Sequence, residues 1–341
     1  MFRGIRTGFR ILFRGPPRRR RGFSPGGDSV LAHSYDIIHY YHSGFSVSCE
    51  DTLLVFDYWR GEEGELTEDL QLSSGRIRSF PHVVVFISHE HIDHLDPIVF
   101  SWEGLTDVTY IISSDMPAGT PGRRMAPGDT FSPVRGVDIT AFDSTDLGVS
   151  FLVDFRGIRF FHAGDLNFWH WREESTMQDI EEADAEFRRA VAPLVSQAVD
   201  VAFFPVDPRQ GSMFEAGANY FILSVKPRVL IPMHYFHRSD AAMEYARTAS
   251  CRSTEVIAMP SLGETLTLEA GDDGYFNIRF QASPRMEDSG EDPEEAGGGF
   301  PPKTDPDDGL FPAENVLSGE DPFAESDLPI SSLSEEDEEG V

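Results

Sequence analysis

The sequence predicts an α/β protein with mixed sheets, and three observations predict it. Val83-Val84-Val85-Phe86-Ile87 and Val108-Thr109-Tyr110-Ile111-Ile112 are β-rich runs on either side of Pro97 to Trp102, whose leading proline suits a first helical turn; this is a parallel β-α-β step. Gly148 to Phe155 and Ile158 to Phe161 flank an Arg156-Gly157 turn and, with Val137 to Phe142, read as antiparallel sheet. Val201 to Val206 and Arg228 to Met233 are apolar strands around a helical Phe214 to Leu223.

Of the 341 residues, those from about 28 to 284 are apolar enough to bury one sizeable core. Residues 1–27 hold eight arginines and no acid, and fit either a disordered basic arm or an organelle-targeting segment. Residues 285–341 hold 19 acids and two bases, and read as a disordered tail. The formal net charge of −30 leaves about −21 on the body, a field that repels phosphate backbones and makes nucleic acid an unfavoured partner. Cys49 and Cys251 form no metal or disulfide framework and are expected as reduced, buried small side chains, in keeping with a cytoplasmic location. No apolar run has the length of a membrane span.

In chain order, Asp36 to Val47 and Thr52 to Asp57 read as two strands joined by a polar turn near Glu50-Asp51. Asp57 ends the second strand, where it either closes a turn or accepts a hydrogen bond from a metal-binding imidazole. His42 is either a structural residue or part of a site. Leu66 to Ser74 is a candidate short helix and Gly119 to Gly128 a loop. Glu173 to Val199 is helical by its spacing of Ile180, Ala183, Phe187, Val191 and Leu194. Asp240 to Arg247 is a further helix, and Glu264 to Leu268 and Tyr275 to Phe280 are closing strands.

The chemistry concentrates directly behind the strand at 83–87, in Ser88-His89-Glu90-His91-Ile92-Asp93-His94. His89 and His91, two apart, leave the strand on one side, and Asp93 and His94 follow in the turn. Imidazole and carboxylate are the ligands a borderline divalent ion takes when thiolate is absent. Asp165 follows a strand through the small residues Ala163-Gly164, and His234 ends another strand. Alone, the first reads as a capped turn and the second as a satisfied core histidine. Phe168-Trp169-His170-Trp171 either walls a pocket or staples a helix, and Arg209 either anchors an anion or pairs with Asp207 at the surface.

Together, His89-x-His91-x-Asp93-His94, Gly164-Asp165 at a strand end and His234 after a later strand resemble the metallo-β-lactamase superfamily, over a span from about Ile37 to His234. Within it, Ile231-Pro232-Met233-His234-Tyr235, His42-Ser43-Gly44-Phe45 ahead of Asp57, and Met213 with Glu215-Ala216 look most like the ascorbate-6-phosphate lactonase-like branch. The resemblance implies a four-layer αββα sandwich with its site on the rim between two sheets. It implies one ion on His89 and His91, a second on Asp93, His94 and His234, and Asp165 bridging them. Zinc is the expected metal, as one or two ions, with manganese or iron as alternatives. One departure stands out: the family usually carries a further histidine ahead of the Gly-Asp pair, and Phe142-Asp143-Ser144-Thr145-Asp146-Leu147-Gly148 has none. Asp146 is the favoured replacement, with Ser144, His162 or nothing as the others.

The implied activity is metal-dependent hydrolysis of a small ester, lactone or phosphorylated metabolite by an activated water, with Asp93 or Asp165 orienting the nucleophile and Arg209 and His170 contacting substrate. The alternatives are a nuclease or phosphodiesterase of the same fold, and a metal-binding module without catalysis.

Overall fold

The computed structural model describes residues 9–11, 33–62, 65–270 and 276–281, all within one compact unit, Met1–Glu287. The remainder of the expected basic arm and the acidic tail lie outside the described residues.

Strands β1 (Phe9–Ile11), β2 (Ser34–His39), β3 (Phe45–Cys49), β4 (Thr52–Phe56), β5 (His82–Ile87), β6 (Asp107–Ser113) and β7 (Arg123–Met125) belong to one sheet. Strands β8 (Thr130–Val134), β9 (Val137–Phe142), β10 (Ser150–Phe155), β11 (Ile158–His162), β12 (Val201–Pro205), β13 (Val229–Met233) and β14 (Glu255–Val256) form a second, and β15 (Thr265–Ala270) and β16 (Phe276–Gln281) return to the first. The first sheet runs β1-β16-β15-β2-β3-β4-β5-β6-β7 and the second β14-β13-β12-β11-β10-β9-β8. Helices α1 (Ser74–Arg78), α2 (Met177–Val191), α3 (Ala216–Ser224) and α4 (Ser239–Ala249) complete the regular structure, with 3-10 turns at Glu68–Leu70, Pro97–Trp102, Ala192–Ser196 and Pro208–Gln210.

The layering follows from side-chain alternation. On β5, Val84 and Phe86 join the core between the sheets, whereas Val83, Val85 and Ile87 turn outward under Ile77 of α1 and Val99 and Trp102 of the 3-10 turn. On the far side, Phe187 and Val191 of α2 and Phe221 of α3 cover the second sheet. Aromatic rings fill the middle: Phe45 lies 4.4 Å from Phe203, Phe86 lies 5.3 Å from Phe151, and Tyr35 lies 5.6 Å from Phe155. This is the four-layer αββα sandwich, helical layers outside two packed sheets.

Each sheet contains a parallel half. β4, β5 and β6 run parallel in the first, and β11, β12, β13 and β14 in the second. Their carboxyl ends carry Asp57, Ser88, Ala163, Val206 and His234 into one rim, the position where α/β sheets place their ligands.

Five local readings change. The stretch 36–47 is two strands, because Tyr40–Gly44 folds into a tight turn: Gly44 N donates to Tyr41 O (2.7 Å), Tyr40 N donates to Gly44 O (2.9 Å), and His42 takes φ 53°. The turn is buried and aromatic, so its composition hid it. Leu66 to Ser74 yields only the short 3-10 turn before α1, and the 119–128 loop contains the edge strand β7. Within the segment expected as an arm, Phe9–Ile11 pair antiparallel with β16. Cys49 is buried as expected, but Cys251 is exposed beyond the end of α4.

Two outcomes follow from the core. Phe203→Ala removes the ring that meets Phe45 and Phe56 across the sheets and should cost about 3–5 kcal/mol, read as a lowered denaturation midpoint at unchanged slope. His39, fully buried against Phe45, has its pKa held down to about 4 by burial. Between pH 6.5 and about 4 the unfolded chain therefore binds a proton that the folded chain refuses, so stability falls as pH falls, by about 3 kcal/mol in all. Denaturant titrations across that window should show His39→Gln losing stability less steeply than the parent.

Candidate metal centre

The centre is assembled around Asp165. It leaves β11 through Ala163 and Gly164, and its two oxygens face different histidines: Oδ2 is 3.2 Å from His89 Nε2, and Oδ1 is 3.0 Å from His94 Nε2 and 3.1 Å from His234 Nε2. At this centre potential ligand atoms fall into two groups, His89 with His91 and Asp165, and His42 with Asp93, His94 and His234; within each, one donor atom per residue lies inside 4.8 Å of the others. Asp165 therefore stands between them. His89 Nε2 is also 3.1 Å from His91 Nδ1, and His42 Nε2 is 3.3 Å from Asp93 Oδ2.

The outer nitrogens explain why Nε2 points inward. His94 Nδ1 donates to Asp57 Oδ2 (2.8 Å), and His234 Nδ1 donates to Asp207 Oδ2 (3.0 Å). Ser88 Oγ donates to Asp57 Oδ2 (2.6 Å), which leaves it to accept from His89 Nδ1 at 2.9 Å. In the neutral form of all three rings Nδ1 holds the proton, and Nε2 is the nitrogen left to present a lone pair to the centre. His94 Nε2, His234 Nε2 and Asp165 Oδ1 are buried and have no hydrogen-bond partner. Three Nε2 atoms gathered around a buried carboxylate are what a divalent cation requires, so the residues present fit a metal.

Charge tells the same story. Burial pushes the Asp165 pKa upward, yet the His94 and His234 imidazoles overrule it and hold the carboxyl well below its usual range. Burial likewise opposes a charged His94 and His234, and Asp165 overrules it at both, seconded by Asp57 at His94 and by Asp207 at His234. Asp207, against the push of burial, is drawn down to about 2 by His234 and Arg209. The buried carboxylates demand positive charge at this point.

The backbone is bent to suit. Asp57 (φ 39°), His42 (φ 53°), His234 (φ 66°) and Trp171 (φ 36°) all adopt left-handed conformations at the rim. Gly148 and Gly164 press against Ser88: a Cβ on Gly148 would lie 1.9 Å from Ser88 O, and one on Gly164 would lie 2.8 Å from Ser88 Cβ. These two glycines let the loop 143–149 and the Asp165 turn close over the residue that orients His89.

A cavity of about 380 Å³ opens over the ligands His91, Asp93, Asp165 and His234. Thr145, Asp146, Trp169, Trp171 and Arg209 form its walls. His89, His91, Asp93, His94, Asp165 and His234 are thus brought together, and Asp57 sits behind His94. Asp146 reaches the cavity wall but belongs to neither ligand group. His162 is already satisfied, donating through Nε2 to Ser43 O (2.9 Å) and accepting at Nδ1 from Gly164 N (3.2 Å), and Ser144 is buried away from the cavity. Among the described residues, no side chain replaces the expected histidine in the first group. His170 turns away from the cavity, with Nε2 on Met213 O (3.1 Å) and its backbone N–H on Gln210 Oε1 (3.2 Å); Trp169 and Trp171 on either side face it instead. Arg209 both pairs with Asp207 (2.6 Å) and lines the cavity. His42, which sequence reasoning left undecided, enters the second ligand group; the available signal was the His42-Ser43-Gly44-Phe45 turn ahead of Asp57.

No family model and no curated relative matches the chain. Solved structures do. Igni18, a metallo hydrolase from Ignicoccus hospitalis, is 17% identical over 69% of this chain and 98% of its own, with a TM-score of 0.49. A proposed metal-dependent hydrolase from Parabacteroides distasonis is 18% identical over 69% and 98%, with a TM-score of 0.48. YhfI, a metallo-β-lactamase-fold protein from Bacillus subtilis, is 14% identical over 70% and 99%, with a TM-score of 0.44. These neighbours are metal-dependent hydrolases and metallo-β-lactamase-fold proteins. Among the described residues, no helix of this chain is long and apolar enough to cross a membrane.

The hydrogen bond from His94 to Asp57 can be removed by a single substitution. In Asp57→Asn the amide presents a donor where Oδ2 accepts, so His94 must turn its proton to Nε2 and withdraw its lone pair. Competition against a chromophoric chelator should show metal affinity lowered about 10–100-fold.

Proposed function

We propose that this chain is a metal-dependent hydrolase acting on a small ester, lactone or phosphorylated metabolite, with the activity housed in residues 28–284. The observation that carries the reading is Asp165, whose two oxygens address two histidine groups with inward lone pairs. His89, His91 and Asp165 would hold one ion, and Asp93, His94, His234 and Asp165 the other, with His42 beside the second. The donor set of imidazole and carboxylate suits zinc, and equally manganese or iron(II).

A divalent ion in this position supplies Lewis acidity and lowers the pKa of a coordinated water toward neutrality. The chain supplies the rest. Asp93, half-buried at the cavity floor, keeps its carboxylate ionised because, against burial, His42, His94 and His234 hold its pKa down; it can therefore accept a hydrogen bond from a nucleophilic water and orient it. Arg209 has Nε and Nη2 committed to Asp207, which fixes the guanidinium at the cavity wall and leaves Nη1 for an oxyanion of the substrate. Asp207 in turn links that anchor to His234, so substrate charge and ligand orientation share one carboxylate. A cavity of about 380 Å³, with Arg209 as the arginine in its lining, accommodates a metabolite and gives a polynucleotide backbone little to grip. A cytoplasmic location fits the reduced cysteines.

His234→Ala removes a ligand and the partner of Asp207. Elemental analysis should show the second ion lost, and hydrolysis across a panel of esters, lactones and phosphodiesters should fall at least about 100-fold. Full turnover in His234→Ala of verified metal content would overturn the assignment, and stoichiometric metal in the parent with no hydrolysis of any panel member would favour a binding module.

A further inference from the structure

The cavity has a chemically uneven lining, and that unevenness bears on what fills it. Among the described residues that line it, the apolar ones are Trp169 and Trp171. Their rings lie 5.9 Å apart at 11°, an offset parallel stack. Trp169 is fixed in place, because Nε1 donates to Asp165 O (2.8 Å) and its ring lies 5.3 Å from His234. Trp171 is set beside it by a left-handed backbone (φ 36°), while the intervening His170 is buried and bound elsewhere. A strained residue that places a half-exposed indole at a cavity mouth, where no core packing needs it, points to ligand contact.

From this we infer that the substrate carries a planar aromatic or heteroaromatic ring, lying against the Trp169–Trp171 stack, with its hydrolysable carbonyl group directed to Asp165 and the histidines. The inference rests on the hydrolase reading and narrows it to aryl esters and aryl lactones. An alkyl chain needs a concave aliphatic wall, and the lining has none. A polyhydroxylated sugar needs a partner for each of several hydroxyls, yet the Thr145 hydroxyl is committed to Asn167 O and Asn167 N, which leaves Asp146 and Arg209 as the polar wall side chains to serve them all. A planar ring satisfies the lining as it stands, extending an existing stack at little entropic cost. Hydrolysis itself is balanced by water alone: the acyl–oxygen bond breaks, the water oxygen bonds to the acyl carbon, and its protons end on the departing oxygen and in solvent.

Two measurements on the metal-loaded full chain test this. The first compares turnover of dihydrocoumarin, δ-valerolactone and gluconolactone by the parent, Trp171→Ala and Trp171→Phe. Trp171→Ala should raise KM for dihydrocoumarin about tenfold more than for δ-valerolactone, and Trp171→Phe should recover most of that difference. An equal change for both lactones overturns the inference, and a selective loss on gluconolactone overturns it in favour of a carbohydrate. The second is quenching of tryptophan fluorescence by 2-naphthoate against cyclohexanecarboxylate, which needs no turnover. Selective quenching by 2-naphthoate that is weakened about tenfold in Trp171→Ala supports the aromatic shelf even if the hydrolase reading fails. Absence of that selectivity overturns the shelf even if hydrolysis is found.

Discussion

The carboxylate of Asp57 is the constraint on which the rest of the centre depends. It is buried to 1% exposure at the end of β4, yet it stays ionised because the nearby imidazoles of His162 and His94 outweigh the push of burial. One oxygen accepts from Ser88 N (2.8 Å), the other from Ser88 Oγ and His94 Nδ1. That single group joins the ends of two parallel strands, sets the tautomer of His94 directly and sets that of His89 through Ser88. A buried charge with this many donors is stabilised in place, whereas one left without them would cost several kcal/mol. The same device recurs across the cleft, where Asp207 at the end of β12 holds His234 at the end of β13. Each sheet thus contributes one carboxylate that faces away from the centre and aims imidazole lone pairs into it.

Much of this was legible in the sequence because strand ends are written twice, once by the apolar run and once by the residue that follows it. Val83 to Ile87 announced both a buried strand and the position of His89, and Arg228 to Met233 did the same for His234. The Asp57 contact was legible for the same reason. What could not be read were groups whose role depends on a partner far along the chain. His162 stands at a strand end like His234 and differs only because Ser43 O and Gly164 N reach its two nitrogens. His170 sits between two tryptophans, and only the approach of Gln210 and Met213 decides that it turns inward. The turn at Tyr40–Gly44 failed for another reason. Local pattern assigns aromatic residues to strands, and here tertiary burial allowed a turn to be made of them. Asp146 illustrates the converse: its type suited a ligand, but its loop places it on the wall and not among the inward nitrogens.

The two ligand groups are unequal in a way that follows from topology. His42, Asp93, His94 and His234 come from three separate segments, so the second group is gripped from both sheets. His89 and His91 come from one loop, and His91 is exposed. Asp165 ties that pair to the opposite sheet. The first group is therefore the more open, ending in an exposed imidazole, while the second is enclosed by rings, His42 lying 3.9 Å from both the buried His234 and the partly buried Phe236.

The distribution of ligands along the chain also bears on how the protein is made. Residues 42, 165 and 234 meet only after both sheets have formed and closed on each other, contacts of the long-range kind that form slowly. The hexad from His89 to His94 is different, because four of its donors lie within six residues and, as the ligands proposed above, would already be close together in the unfolded chain. Metal present during folding would then bind both states, and its stabilising effect would be smaller than the affinity of the finished site suggests. Synthesis of this protein in excess metal would load the hexad first and complete the coordination shell last, when the second sheet docks.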